Sequence, residues 1–192
     1  SLKIEEILIK WKMERQRIPI MIKNPLTYLK KRHLLWAINF WPPIFGAGIR
    51  VKVLSPDLTD VLVTMKQRFW NTSFVSRHFG GSLYVMTDPF YMIMLLEVLG
   101  KGHSVIDKAA SIRYLKAARG KVSARFKLTE NEIKKIMLKL ENSEKPIEWT
   151  FDIPIICEKG TTVAIVSKTL SLKKVIRQKL KKPKDKLKEL LG

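Results

Sequence analysis

The chain has 192 residues, 46% of them apolar, and a formal net charge of +20. That length suffices for one domain with a proper core and some extension, and the apolar content is ordinary for a globular protein. The single cysteine, Cys157, excludes an intrachain disulfide and fits a reducing compartment such as the cytoplasm; with no CxxC or Cys/His cluster beside it, there is no structural zinc motif.

The charge is uneven. Residues 1–33 hold nine Lys/Arg against three Asp/Glu, and residues 173–192 hold nine against two, so the two ends carry +13 of the +20. Basic ends suit an anionic partner (nucleic acid, a membrane surface or an anionic cofactor), or serve solubility. Residues 2–17 place Ile4, Ile7, Leu8 and Trp11 at helical spacing among charges, an amphipathic helix. Asn24 as N-cap and Pro25 as first helical residue open a second helix, which runs to about Phe40 and stops before Pro42-Pro43. The apolar run over 34–49 contains Asn39 and two prolines and is too short to span a bilayer.

Strands follow. "IRVKVLS", residues 49–55, alternates, and "DVLVTMKQRFW", residues 60–70, reads as its antiparallel partner. An apolar helix runs over about 82–99, behind the pair Gly80-Gly81 and closed by Gly100 and Gly102. A helix apolar nearly all round must be buried on most of its surface. A strand is expected over 104–118 and another over 121–128. Thr129 and Glu132 then fit a capping box opening a helix, and a hairpin joins 147–157 to 161–172. The expected class is α+β: a six-stranded antiparallel sheet around one long apolar helix, with extra N-terminal helices. The expected divisions are a helical extension over 1–40, a domain over 41–172 and a basic tail over 173–192.

The stretch "NTSFVSRHFGGSLYVMTDP", residues 71–89, has an Asn after the second strand, a Gly-Gly helix start, and an Asp eight residues after the first Gly. It resembles the hotdog-fold thioesterases, and more closely an uncharacterised hotdog-like family of bacterial proteins. "IRYLKAARGKVSARFKL", residues 112–128, resembles paired strands of that family, and the likeness covers roughly 40–172. It implies a dimer or tetramer with its site at a dimer interface, and acyl-CoA or another acyl thioester as substrate. Coenzyme A would enter only as part of that substrate, with no separate cofactor. It also implies that the Gly80 N–H meets the thioester carbonyl, that Asp88 is nucleophile or general base, and that Asn71 helps place the water or the acid. His78 stands one position before the place where those enzymes often carry a histidine; Phe79 occupies that place.

The residues support this chemistry independently. A helix start has unpaired N–H groups and partial positive charge, and glycines let a ligand approach them. Gly81, Phe79 and Ser82 would border the substrate, and Arg77 and Arg119, with Arg68, Arg113, Lys116 and Lys121, are candidates for its phosphates. The glycine pair could equally serve tight packing. Asp88 within an apolar helix must be paired, hydrated or protonated, or it caps a second helix beginning at Pro89. Eight residues of helix are about 12 Å, too far for Gly80 and Asp88 to share one carbonyl unless a second subunit intervenes or the helix bends. "HFGGS" is not G-x-S-x-G, which argues against a serine hydrolase. The leading reading is an acyl-CoA thioesterase-like hydrolase. The alternative is a non-catalytic acyl- or lipid-binding hotdog protein peripheral to the inner membrane surface. A nucleic-acid binder is disfavoured, because no helix-turn-helix or aromatic-basic single-strand motif accompanies the charge.

Overall fold

The computed structural model describes residues 37–100 and 102–175. The helices expected over 2–17 and, up to Trp36, over 25–40, together with the tail beyond Val175, lie outside the described residues. Pro42 and Pro43 do more than end a helix. They fill the first turn of a short helix α1 (Pro42–Gly46), where a missing N–H costs nothing. Just before it, the Asn39 side chain accepts from the Val51 N–H at 2.8 Å and donates to the Val51 carbonyl at 3.3 Å, so it covers part of the edge of β1 (Ile49–Val53).

The other strands are β2 (Asp60–Lys66), β3 (His103–Tyr114), β4 (Lys121–Lys127), β5 (Ile147–Cys157) and β6 (Thr162–Lys174). They form one antiparallel sheet in the order β1-β2-β4-β5-β6-β3. Alternation explains the strands: β4 buries Val122, Ala124 and Phe126 and turns Ser123 and Arg125 outward. β3 ends at Tyr114, short of the expected 118, because the Leu115 and Lys116 N–H groups both turn to the Val163 carbonyl and take the chain off the ladder.

The apolar helix is in two pieces, α2 (Gly80–Val85) and α3 (Phe90–Leu99), joined through a cis Asp88-Pro89 peptide. The helix start at Pro89 is shifted by one residue. Pro89 is the N-cap, Phe90 is first in the helix, and Asp88 makes no capping bond because its carboxylate is engaged elsewhere. α3 buries Phe90, Tyr91, Met94, Leu95, Val98 and Leu99. Tyr91 stacks on Phe151 at 3.8 Å between ring centroids and meets Phe126 edge-on at 5.2 Å. Gly80–Leu99 is long and apolar enough to cross a membrane, but 61% of its most apolar window is buried inside the fold, as befits a core helix. Helix α4 (Glu130–Glu141) carries the expected capping box: Thr129 Oγ1 accepts from the Glu132 N–H, and Glu132 Oε2 from the Thr129 N–H, both at 3.2 Å. A six-stranded antiparallel sheet with this long helix packed on it is the hotdog fold.

Candidate active site

Asn71 ends a 3-10 turn (Phe69–Asn71) just after β2 and is buried. Its Oδ1 accepts from the Arg68 N–H at 2.7 Å, and its Nδ2 donates to the carbonyls of Ala47 and Lys66, each at 2.9 Å. The side chain thus clips together the approach to β1, the end of β2 and the turn. Its backbone carbonyl accepts from the Phe79 N–H at 2.9 Å, so the same residue positions the start of α2.

His78 is buried between two loops. Its Nε2 lies 2.8 Å from the Gly120 carbonyl, and its backbone N–H donates to Ala118. A carbonyl accepts only from a protonated nitrogen, so Nε2 carries the proton and Nδ1 keeps a lone pair. That Nδ1 is buried and unpartnered. Burial lowers the pKa of the ring below the ordinary 6.5, with the Gly120 bond opposing in part, so the imidazole is neutral at pH 7.

Beside His78, the N–H groups of Gly80 and Gly81 open α2 and make no hydrogen bond among the described residues. A Cβ on Gly80 would come within 2.8 Å of Tyr114 Oη, so only glycine lets the phenol sit against this helix start as it does. Around these groups lies an open cleft of about 330 Å³ walled by Arg77, His78, Gly80, Leu83, Tyr114 and Lys116. Phe79 is exposed and Ser82 buried, neither of them in the cleft wall. Gly81 follows Gly80 without lining the cleft, and Arg119 is an exposed residue of the adjoining loop.

Asp88 does not line this cleft. Its Oδ1 accepts from the ammonium of Lys168, which also lies 3.2 Å from Asp107 Oδ2. Lys168 is 2% exposed, whereas the two carboxylate side chains are 38% and 39% exposed. Burial pushes the Lys168 pKa down, but the hydrogen bonds and charges of Asp88 and Asp107 outweigh it and leave the ammonium above its ordinary range. The acid in the apolar helix is therefore paired, by a residue the motif did not reveal. A signal was available: Lys168 occupies the inward phase of β6, between Val166 and Leu170. One chain thus holds two constellations, the His78–Gly80 cleft and the Asp88–Lys168–Asp107 cluster. They adjoin different parts of β3: Asp107 lies near its middle and Tyr114 at its end.

The fold recurs in solved structures. PA5026 of Pseudomonas aeruginosa, a protein of unknown function described as "Probable Thioesterase", aligns with a TM-score of 0.64 at 17% identity over 74% of this chain and 95% of that one. Thioesterase HI1161 of Haemophilus influenzae aligns with a TM-score of 0.51 at 16% identity over 71% and 85%. The E. coli PaaI protein of the phenylacetic acid degradation operon aligns with a TM-score of 0.52 at 16% identity over 75% and 91%. No curated protein matches the sequence. Residues 30–172 match the family model "Domain of unknown function (DUF4442)", and with three quarters of its length inside that match, this chain belongs to the DUF4442 family.

Proposed function

We propose that this protein hydrolyses an acyl thioester, with coenzyme A as the carrier, at a site completed by a second copy of the chain. The observation that carries the reading is the unpaired N–H of Gly80 in the wall of a cleft beside the end of the edge strand β3, with the unpaired N–H of Gly81 next to it in the first turn of α2. Thioester hydrolysis needs donors aimed at the carbonyl oxygen as it becomes an oxyanion, and one such donor is worth about 2.7–4 kcal/mol of barrier. It also needs a base for the attacking water. Asp88 Oδ2 makes no hydrogen bond among the described residues, since Lys168 takes Oδ1. Water attacks the carbonyl carbon and gives its proton to Asp88; the tetrahedral oxyanion rests on the Gly80 and Gly81 amides and collapses with cleavage of the C–S bond, and the proton passes to the departing thiolate. His78, with Nδ1 shut off from solvent, acts by holding the Gly120 loop against the cleft. Arg77 and Lys116 on the rim suit the phosphates of the carrier.

Eight residues along and beyond α2 set Gly80 and Asp88 about 12 Å apart, too far for one chain's acid and amides to share a carbonyl. Among the described residues β3 pairs only with β6, and no strand pairs with its other edge. A second chain laid antiparallel along that edge sets the start of one strand beside the end of the other. The Asp88 cluster of one copy would then approach the cleft of its partner. Two solved structures of this fold, one named a thioesterase and one described as "Probable Thioesterase", lend the reading support. The test is release of free thiol from acyl-CoA substrates of graded chain length by the wild type and by Asp88→Asn. Absence of turnover at every length, or full activity in the variant, overturns the reading.

One observation favours a second reading, an acyl- or lipid-binding protein without turnover. The acid is tied into an ion pair, and Phe79 stands where the resembled enzymes place a histidine. Acyl chains retained through purification, with no thiol released on incubation, would select it.

A further inference from the structure

Opposite the buried side of the sheet, a groove of about 710 Å³ is walled by Arg50, Lys66, Arg68 and Lys121, with Phe45 and Trp70 among them and no acidic side chain in its lining. The register explains the cluster: Arg50 pairs with Thr64, and Lys66 with Lys121, so adjacent outward positions of β1, β2 and β4 carry the cations. Charged side chains normally spread over a surface with both signs mixed, and the lining of this groove carries one sign only. The aromatics are exposed as well. Phe45 is 54% exposed, Trp70 53% and Phe69 88%, and the hairpin-like loop after them carries Phe74 and Val75 at its exposed tip. The Arg50 guanidinium lies 5.8 Å from the Phe45 ring and that of Arg68 5.8 Å from the Trp70 ring, so cations and rings share one surface. The Asn71 clip joins these segments, with the Gly48 backbone packed beside the Trp70 and Asn71 side chains.

We propose that this face is a docking surface for an anionic phospholipid bilayer, with headgroup phosphates seated among Arg50, Lys66 and Lys121 and the rings of Phe69 and Trp70 in the headgroup layer. Charge complementarity selects the occupant: a groove lined by four cations and no acid, on a chain of net charge +20, meets a negatively charged sheet of phosphates. The aromatics supply what a soluble polyanion would leave in water, since aromatic rings with a wet edge and an apolar body settle at the membrane interface. The inference does not rest on the hydrolytic reading above; either a hydrolase or a carrier of acyl chains gains from standing at the surface where such chains are stored.

The experiment is sedimentation of the full chain with vesicles of phosphatidylcholine containing phosphatidylglycerol, against vesicles of phosphatidylcholine alone. Each cation near an anionic leaflet contributes about five-fold in affinity, so Arg50→Gln/Lys66→Gln/Lys121→Gln should bind about a hundred-fold more weakly. The charge-preserving set Arg50→Lys/Lys66→Arg/Lys121→Arg should bind as the wild type does, which guards against a folding artefact. Phe69→Ser/Trp70→Ser should lose the binding that survives high salt. The proposal is overturned if the wild type does not sediment with anionic vesicles, or if the neutralised variant sediments equally, which would assign binding to the basic ends. It is equally overturned if free coenzyme A strips the protein from vesicles and the neutralised variant fails to bind coenzyme A, making the groove a soluble-phosphate site. Loss of self-association in Phe69→Ser/Trp70→Ser with vesicle binding intact would make the face a subunit contact and overturn it too.

Discussion

Lys168, reaching in from β6, is ion-paired to Asp88 at the break in the central helix, eighty residues earlier in the chain. The pair sets a buried ammonium against a carboxylate that is more than one third exposed, so the two partners are not equivalent. Asp88→Asn/Asp107→Asn leaves the buried ammonium uncompensated and should cost about 3–5 kcal/mol of stability. Adding Lys168→Met, which fits the apolar phase of β6, should recover most of that loss. Urea midpoints at constant slope measure both. The alkaline limb gives a further check. The Lys168 pKa is raised on folding, so its contribution is complete below the unfolded value of 10.5 and is lost as pH rises through the folded one. Lys168→Met should lack that loss.

His78 gives the opposite sign. Its pKa is lowered on folding, so the folded chain pays to protonate it. Stability should be complete above the unfolded value of 6.5 and fall as pH drops from there through the folded value. His78→Gln retains a side-chain N–H for the Gly120 carbonyl and has nothing to titrate. Its denaturation midpoint should be flatter below pH 6.5 than that of the wild type, and an unchanged slope would remove His78 as the cause.

Asn71→Ala removes three hydrogen bonds at once and strands an N–H and two carbonyls that are partly buried. The expected cost is about 2–4 kcal/mol, read as a lower urea midpoint. Asn71→Asp keeps an acceptor for Arg68 but loses both donations, so it should recover only part of the loss.

Gly80→Ala separates stability from activity. The backbone there lies outside the left-handed region, and alanine is a better helix former than glycine, so the unfolding free energy should change by less than about 1 kcal/mol. The new methyl must displace the Tyr114 phenol, which is exposed and able to swing, into the mouth of the cleft. Thioester turnover should fall at least ten-fold (about 1.4 kcal/mol of barrier), and Tyr114→Ala in the same chain should restore part of it.

The strands were legible because period-two alternation is a local property. Val122, Ala124 and Phe126 announce a buried face without reference to anything outside β4. The capping box at Thr129 was legible for the same reason. The break at Asp88-Pro89 could be suspected from the proline, and the alternation of β6 puts Lys168 on the inward phase, but that the two meet could not be read, since Lys168 enters from eighty residues further along the chain. Asn71 stood out in the motif as a candidate for handling water. The geometry gives its side chain to three backbone groups, a role that depends on where Ala47 and Lys66 end up. Pro42-Pro43 ends one helix as expected, but the short helix it opens was not legible, since a proline pair that forbids continuing one helix is equally suited to starting the next.

The Asn71 clip has a consequence for how the loop over 71–79 behaves in solution. Its tip carries Phe74 fully and Val75 largely out in water, which would suggest a segment that opens readily, yet its two ends are stitched. The Phe79 amide is held by Asn71, the His78 amide by Ala118, and the Ser73 amide by Arg77 across the loop. Opening the loop therefore means breaking the clip, and with it the junction of β1 and β2. In deuterium exchange the Phe79 and His78 amides should be protected nearly as long as those of β2, while the amides at the tip exchange at once: a surface loop whose rim is as slow as the core.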